Sequence, residues 1–168
     1  MRRLPAVVAI ATLVCELSNL FGEPEKRIDL AAIVSKKDAE STLGEAVKDP
    51  QPRNEEGADG YYSRCNYYSQ NPGRSLVLRV RQASAGQLAP AKQLEELTAG
   101  NGRIKSVSGL GDKAALASEG AENGLSHVLM LYISKRNAFV TVGIGGIDDE
   151  KTALEKAKTL ARKILAKL

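Results

Sequence analysis

Residues 125–146 read LSHVLMLYISKRNAFVTVGIGG, two apolar runs joined by a short polar break. In the first run, apolar side chains occur on both faces of the strand that its alternation implies, which is typical of a strand covered on both sides. The second run continues the alternation from Phe139 to Gly145, and the polar residues 135–137 favour a tight turn. The segment therefore predicts the central hairpin of a β-sheet, and the rest of the chain must cover it.

A first helix and a second hairpin are indicated earlier in the chain. Ser35 and Asp38 have the spacing of a capping box at a helix start, and Gly44 is placed to end that helix. Residues 61–69 and 75–82 each alternate with a period of two, and the Asn-Pro-Gly sequence at 71–73 favours a turn between them. These residues predict a helix followed by an antiparallel strand pair.

Further periodic segments follow, and one region lacks any period. The predicted elements are a helix with Leu88, Ala91, Leu94 and Leu97 on one face, short strands at 103–107 and 114–117, and a long final helix at 149–168. Residues 49–60 contain prolines, glycines and acids without periodicity and predict an exposed loop. Hairpin connections force antiparallel pairing, so the predicted fold class is α+β, an antiparallel β-sheet with packed helices and a long C-terminal helix.

The N-terminal segment has the composition of a secretion signal. Arg2 and Arg3 precede an apolar run from Leu4 to Val14, which is too short to cross a bilayer of about 30 Å as a helix. Cys15 follows at the position of the lipidated cysteine in a lipoprotein signal, so we expect lipidation at Cys15 and a membrane anchor. Val14 is larger than the residue that usually precedes this cysteine. Secretion with cleavage elsewhere, or a retained start, is the alternative.

These signals divide the chain into three parts. They are a signal and lipobox-like segment at 1–15, a polar tether at 16–27 and a single α+β domain at 28–168. Export would place the domain in the periplasm or on the cell surface, anchored to the membrane if Cys15 is lipidated. Cys65 is then the only thiol of the domain, and no disulfide framework is expected. A bridge between Cys15 and Cys65 is the alternative if the start is retained.

The composition argues against several functions. The net charge is +4, of which Arg2 and Arg3 contribute two, and aromatic residues make up only 4%, so nucleic-acid binding is not favoured. One histidine and scattered acids do not form a typical metal site. The glycines at 143–146 lack the spacing of a dinucleotide-binding loop. We therefore expect no metal, no cofactor and no nucleic acid, and we expect a monomer.

Several short motifs follow one another in a recognisable order. They are Cys15 after its apolar run, STLGE (41–45), SRCNY (63–67), VSGLGDKA (107–114) and LARKIL (160–165). Together they resemble a family of small bacterial lipoproteins, known best from actinobacteria, over residues 28–168. The resemblance implies an exported, membrane-tethered domain similar to PsbP-like folds, with no established catalytic residues to carry over. Many members of that family have a second cysteine before the first helix, where this chain has Ala31 and Ala32.

One face of the 61–82 hairpin is a candidate ligand-binding surface. Leu76, Leu78 and Val80 would face inward. The candidate ligand-binding residues on the outward face are Tyr62, Arg64, Tyr68, Arg79 and Arg81. Guanidinium groups bind carboxylate or phosphate, and tyrosines add contact area, so this face predicts an anionic envelope component or a protein as its partner. The alternative is the solvated side of a half-covered sheet.

A catalytic alternative rests on two residues. Cys65 is the only cysteine after Cys15, and His127 is the only histidine, so together they could form a nucleophile and base in a small envelope hydrolase. A single cysteine between tyrosines and a histidine among leucines are also typical of buried strand residues. We therefore expect no catalytic residues, and a non-catalytic binding or accessory domain of the cell envelope.

Overall fold

A computed structural model describes residues 26–99, 103–120 and 127–168. The strands are β1 (Arg53–Gly57), β2 (Gly60–Tyr68), β3 (Ser75–Ala83), β4 (Ile104–Val107), β5 (Lys113–Glu119), β6 (Val128–Lys135) and β7 (Ala138–Gly145). The helices are α1 (Leu30–Ile33), α2 (Lys36–Leu43), α3 (Pro90–Thr98) and α4 (Glu150–Leu165). The strands form one antiparallel seven-stranded sheet in the order β1-β2-β3-β7-β6-β5-β4. The predicted α+β class is confirmed.

The hairpin of β6 and β7 lies at the centre of the sheet, as predicted. β7 is the middle strand, and every one of its residues is buried. Arg136 makes the tight turn with a positive φ of 53°. The only predicted residues of this hairpin that cannot be compared are those at 125 and 126, which lie outside the described residues.

The inner face of the sheet is the one that carries Leu78, Leu131 and Val142, and α1, α2 and α4 pack against it. Asp149 caps α4 by accepting a hydrogen bond from the backbone N–H of Thr152 at 2.8 Å. The buried stripe of α4 contains Ala153, Ala157, Leu160, Ala161, Ile164 and Leu165. This helix and the central hairpin therefore share one core, as their apolar periods predict.

The outer face of the sheet is only partly covered. Leu94 of α3 packs on Ala115 and Phe139 in a small second cluster. A nine-residue helix is only about 14 Å long, and α3 contacts β5, β6 and β7. The outer surface of β2 and much of β3 is therefore left open to solvent and bordered by α3.

Helix α2 begins and ends where the sequence predicts. Ser35 accepts a hydrogen bond from the backbone N–H of Asp38, and the Asp38 carboxylate accepts one from the backbone N–H of Ser35. Gly44 closes the helix with a φ of 77°. The Asp38 carboxylate also receives a hydrogen bond from Lys163 Nζ at 2.7 Å, which joins α2 to α4.

Two sequence predictions need correction. Residues 49–60 are not a plain loop, because β1 forms within them and pairs with β2 through a two-residue turn between Gly57 and Gly60. Strand β1 lies at the sheet edge and is almost fully exposed, so it needs no apolar alternation. Helix α3 begins at Pro90, which leaves Leu88 in the preceding loop. Among the described residues no helix is long and apolar enough to cross a membrane.

Candidate functional site

A cleft of about 260 Å³ lies on the outer face, where the open strands meet α3 and the loop before it. We call it the outer cleft. Its lining residues are Asp59, Tyr62, Arg64, Arg79, Val80, Arg81, Leu88, Gln93, Phe139 and Thr141. Four of the five predicted ligand-binding residues are among them. The structure thus brings together residues that the sequence placed only on one strand face.

Strand register arranges the floor of the outer cleft in two rows. Arg64 of β2 lies directly opposite Arg79 of β3, and Arg79 lies opposite Thr141 of β7. Directly opposite side chains have Cβ atoms about 5 Å apart, so the first row places two arginine side chains and a threonine side chain next to one another. The second row, two residues further along, contains Tyr62, Arg81 and Phe139.

The two arginines of the first row differ in their partners. Arg64 lies 3.7 Å from Glu55 Oε1, and its guanidinium lies 5.9 Å from the centre of the Tyr62 ring. Arg79 is exposed, and within residues 26–99, 103–120 and 127–168 it has no ion pair or hydrogen bond. As far as the described residues go, Arg79 therefore brings a charge without an ion-pair partner to the lining of the cleft.

The sequence predicts Arg81 on the solvated side of the hairpin. The structure corrects this, because α3 and the loop before it cover Arg81. It is only 6% exposed. Its guanidinium donates to Gln93 Oε1 at 2.8 and 3.1 Å and to the carbonyl of Leu88 at 2.7 Å, and it lies 3.3 Å from Asp59 Oδ2. A buried guanidinium needs such partners. Arg81 fixes the floor of the cleft and is not available to a ligand.

Asp59 completes this floor from the turn between β1 and β2. Its carboxylate accepts a hydrogen bond from the Tyr62 hydroxyl at 2.7 Å, and this bond is the main cause of the lowered pKa of Asp59. Burial, followed by the same bond, raises the pKa of Tyr62. At neutral pH Asp59 is thus an anion and Tyr62 is a neutral donor, and their positions are fixed.

Tyr68, the fifth predicted residue, lies outside the outer cleft. It is 51% exposed and follows Arg64 by four strand residues, which is about 13 Å along β2. Asn66 donates to its hydroxyl at 3.3 Å. No sequence pattern predicted the contributions of Asp59, Leu88, Gln93 and Thr141 to the cleft. The period of β3 could not reveal them, because they come from a turn, a loop, a helix and another strand.

The structure does not bring the two candidate catalytic residues together. Cys65 faces the core from β2 and is fully buried, and burial raises the pKa of its thiol. His127 precedes β6, and β3 and β7 lie between β2 and β6 in the sheet. Three strand spacings amount to about 14 Å. Cys65 and His127 therefore cannot act as a nucleophile and base pair in this conformation.

His127 does have a hydroxyl neighbour, but its geometry differs from that of a catalytic triad. Ser118 Oγ donates to Glu150 Oε2 at 2.8 Å, and it lies 2.9 Å from His127 Nε2. A hydroxyl has one proton, so Ser118 must accept from Nε2–H. Glu150 thus binds the serine, whereas the acid of a triad binds the imidazole. His127 Nδ1 is buried and has no hydrogen-bond partner among the described residues. This arrangement ties the start of α4 to the sheet.

Other predicted sites and the comparisons add no further assignment. Cys15 lies outside the described residues. Within the described ranges, no group of three or more His, Cys, Asp or Glu side chains is placed to hold a metal ion. Comparison with protein families, with curated proteins and with solved structures gives no match. The site itself defines this chain as a small α+β domain with a cationic cleft on a half-covered sheet.

Proposed function

We propose that the chain is an exported, membrane-tethered and non-catalytic binding domain of the bacterial cell envelope, and that the outer cleft binds an anionic ligand. The observation that carries the proposal is Arg79, an exposed guanidinium that has no ion pair within the described residues and lies opposite Arg64 in the lining of the outer cleft. Guanidinium groups bind carboxylate and phosphate through charge-assisted hydrogen bonds. The basic and apolar start of the chain, Cys15 and the lipoprotein resemblance support export and a lipid anchor.

The cleft is suited to binding because its floor is already ordered. Arg81, Gln93 and Asp59 are held by mutual hydrogen bonds, so little conformational entropy remains to be lost there. The exposed groups that a ligand would order are the side chains of Arg64 and Arg79. Catalysis is less well supported, because the candidate nucleophile Cys65 is buried on the other face of the sheet.

Binding can be tested with Arg79→Ser and with Arg162→Ser as the matched control. Arg162 is exposed on α4, which packs on the opposite face of the sheet, so both variants lose one positive charge. Binding to anionic lipid vesicles and to cell-wall polymers is measured at low salt and at about 0.15 M salt. We expect Arg79→Ser to lose binding and Arg162→Ser to retain it. Equal binding by both variants would contradict the proposal.

The anchor requires a separate test. Cells that express the full chain are labelled with a radioactive fatty acid, and Cys15→Ser is compared with the parent. The proposal predicts label in the parent and none in the variant. Label that survives Cys15→Ser, or a parent without label, would contradict lipidation at Cys15.

A further inference from the structure

We propose that the outer cleft selects a compact aromatic monocarboxylate, with its carboxylate on Arg64 and Arg79 and its ring against Tyr62 and Leu88. This inference rests on the proposed anion-binding function and specifies the class of ligand. It follows from the charge balance of the cleft, from its apolar surfaces and from its size.

The charge balance favours a single negative charge on the ligand. Arg81 is compensated by Asp59 at 3.3 Å, and Arg64 is partly compensated by Glu55 at 3.7 Å. In the part of the chain that the structure describes, Arg79 has no such ion pair. Asp59 remains ionised, since its hydrogen bond from Tyr62 lowers its pKa. A second negative charge in the cleft would be repelled by Asp59, which lines it, and by Glu55, which is paired with Arg64. A carboxylate therefore fits better than a doubly charged phosphate monoester.

The hydrogen-bonding groups also suit a carboxylate. The first row of the floor offers two guanidinium groups and the Thr141 hydroxyl on adjacent strands. A planar guanidinium matches both oxygens of a carboxylate, and a neighbouring hydroxyl can donate to the remaining lone pair. The two oxygens of one carboxylate can thus be satisfied without a change in the strands.

The apolar side chains of the cleft favour an apolar second half of the ligand. Leu88 is 39% exposed in the loop before α3, and the rings of Tyr62 and Phe139 lie in the next row of the floor. An exposed leucine beside aromatic rings loses water contact when an aromatic ring covers it. The guanidinium of Arg64 already lies over the Tyr62 ring, so an aromatic ring can extend this stack.

The size of the cleft limits the ligand. A volume of about 260 Å³ is below the usual range of drug-sized pockets. One ring and a short acidic side chain can be held, whereas a polymer or a lipid could place only one terminal group there. Phenylacetate is a suitable probe because it combines one carboxylate with one ring.

The test measures the affinity of the full chain for phenylacetate, acetate, phenyl phosphate and phenylacetamide by calorimetry. We expect phenylacetate to bind at least about tenfold more tightly than each of the other three. Leu88→Ala should weaken the binding of phenylacetate about three- to tenfold and leave the affinity for acetate unchanged. Leu97→Ala is the matched control, because Leu97 is 37% exposed on α3 and does not line the cleft.

The outcomes separate this inference from the proposed function. Tighter binding of phenyl phosphate, or equal effects of Leu88→Ala and Leu97→Ala, would overturn the aromatic monocarboxylate. If Arg79→Gln still weakens the binding of all the anions, the anion site itself stands. If no anion depends on Arg79, both the inference and the proposed function fail.

Discussion

Replacement of Leu131 by alanine tests whether the central hairpin forms the core of the domain. Leu131 is 0% exposed in β6 and lies between Leu116 and Val142 on the inner face. Deletion of a buried leucine side chain costs about 2–5 kcal/mol, from lost transfer free energy and from the cavity that remains. Strands on both sides and α4 above limit the collapse of that cavity, so we expect about 3 kcal/mol.

Urea unfolding followed by circular dichroism measures this loss. With an m-value of about 2 kcal/mol/M, the midpoint should fall by about 1.5 M. Val128→Ala is the matched control on the same strand, because Val128 faces outward and is 41% exposed. It should cost less than about 1 kcal/mol. A similar small loss for Leu131→Ala would refute the central position of the strand.

Three further predictions concern other parts of the domain. The pKa of Asp38 is lowered to about 2, mainly by the hydrogen bond from Lys163 and next by that from Ser35. The ionised carboxylate therefore stabilises the fold above pH 4, and this contribution is lost as the pH falls towards 2. Asp38→Asn should lower the free energy of unfolding by about 1 kcal/mol at pH 7 after solvent screening. The free energies of unfolding of the parent and the variant should become equal near pH 2, and a difference that does not change with pH would contradict this. In a Cys15→Ser background, Cys65 should react with iodoacetamide only in urea, since it is fully buried; rapid reaction of Cys65 in the folded protein would contradict this. Gly111→Ala should lower the melting temperature, because φ is 57° and a Cβ would lie 2.5 Å from the Ser134 carbonyl oxygen; an unchanged melting temperature would contradict this.

Much of the fold could be predicted because its core elements have apolar periods. Apolar residues recur about every 3.6 residues in the final helix and every second residue in the central hairpin. The apolar stripe of the helix and the central strand β7 are both buried, as these periods require. The capping residues of α2 were equally clear. Strand β1 was missed because an exposed edge strand is held by backbone pairing and needs no apolar side chains.

The candidate site could be predicted only in part. Alternation along β2 and β3 places Tyr62, Arg64, Arg79 and Arg81 on one face. It cannot tell which of these residues α3 will cover, and for this reason Arg81 was expected in solvent. The cover depends on long-range contacts of α3 with β5, β6 and β7, which no local period encodes.

The most direct measurement of the central claim is an NMR titration of the arginine Nε–Hε groups with phenylacetate. The account predicts saturable shifts of the Arg79 and Arg64 resonances with one dissociation constant, because both groups meet the same carboxylate. Arg162, on the opposite face, should not shift. Saturation at Arg162 with the same constant, or an absence of saturable shifts at Arg79, would contradict the binding of an aromatic monocarboxylate in the outer cleft.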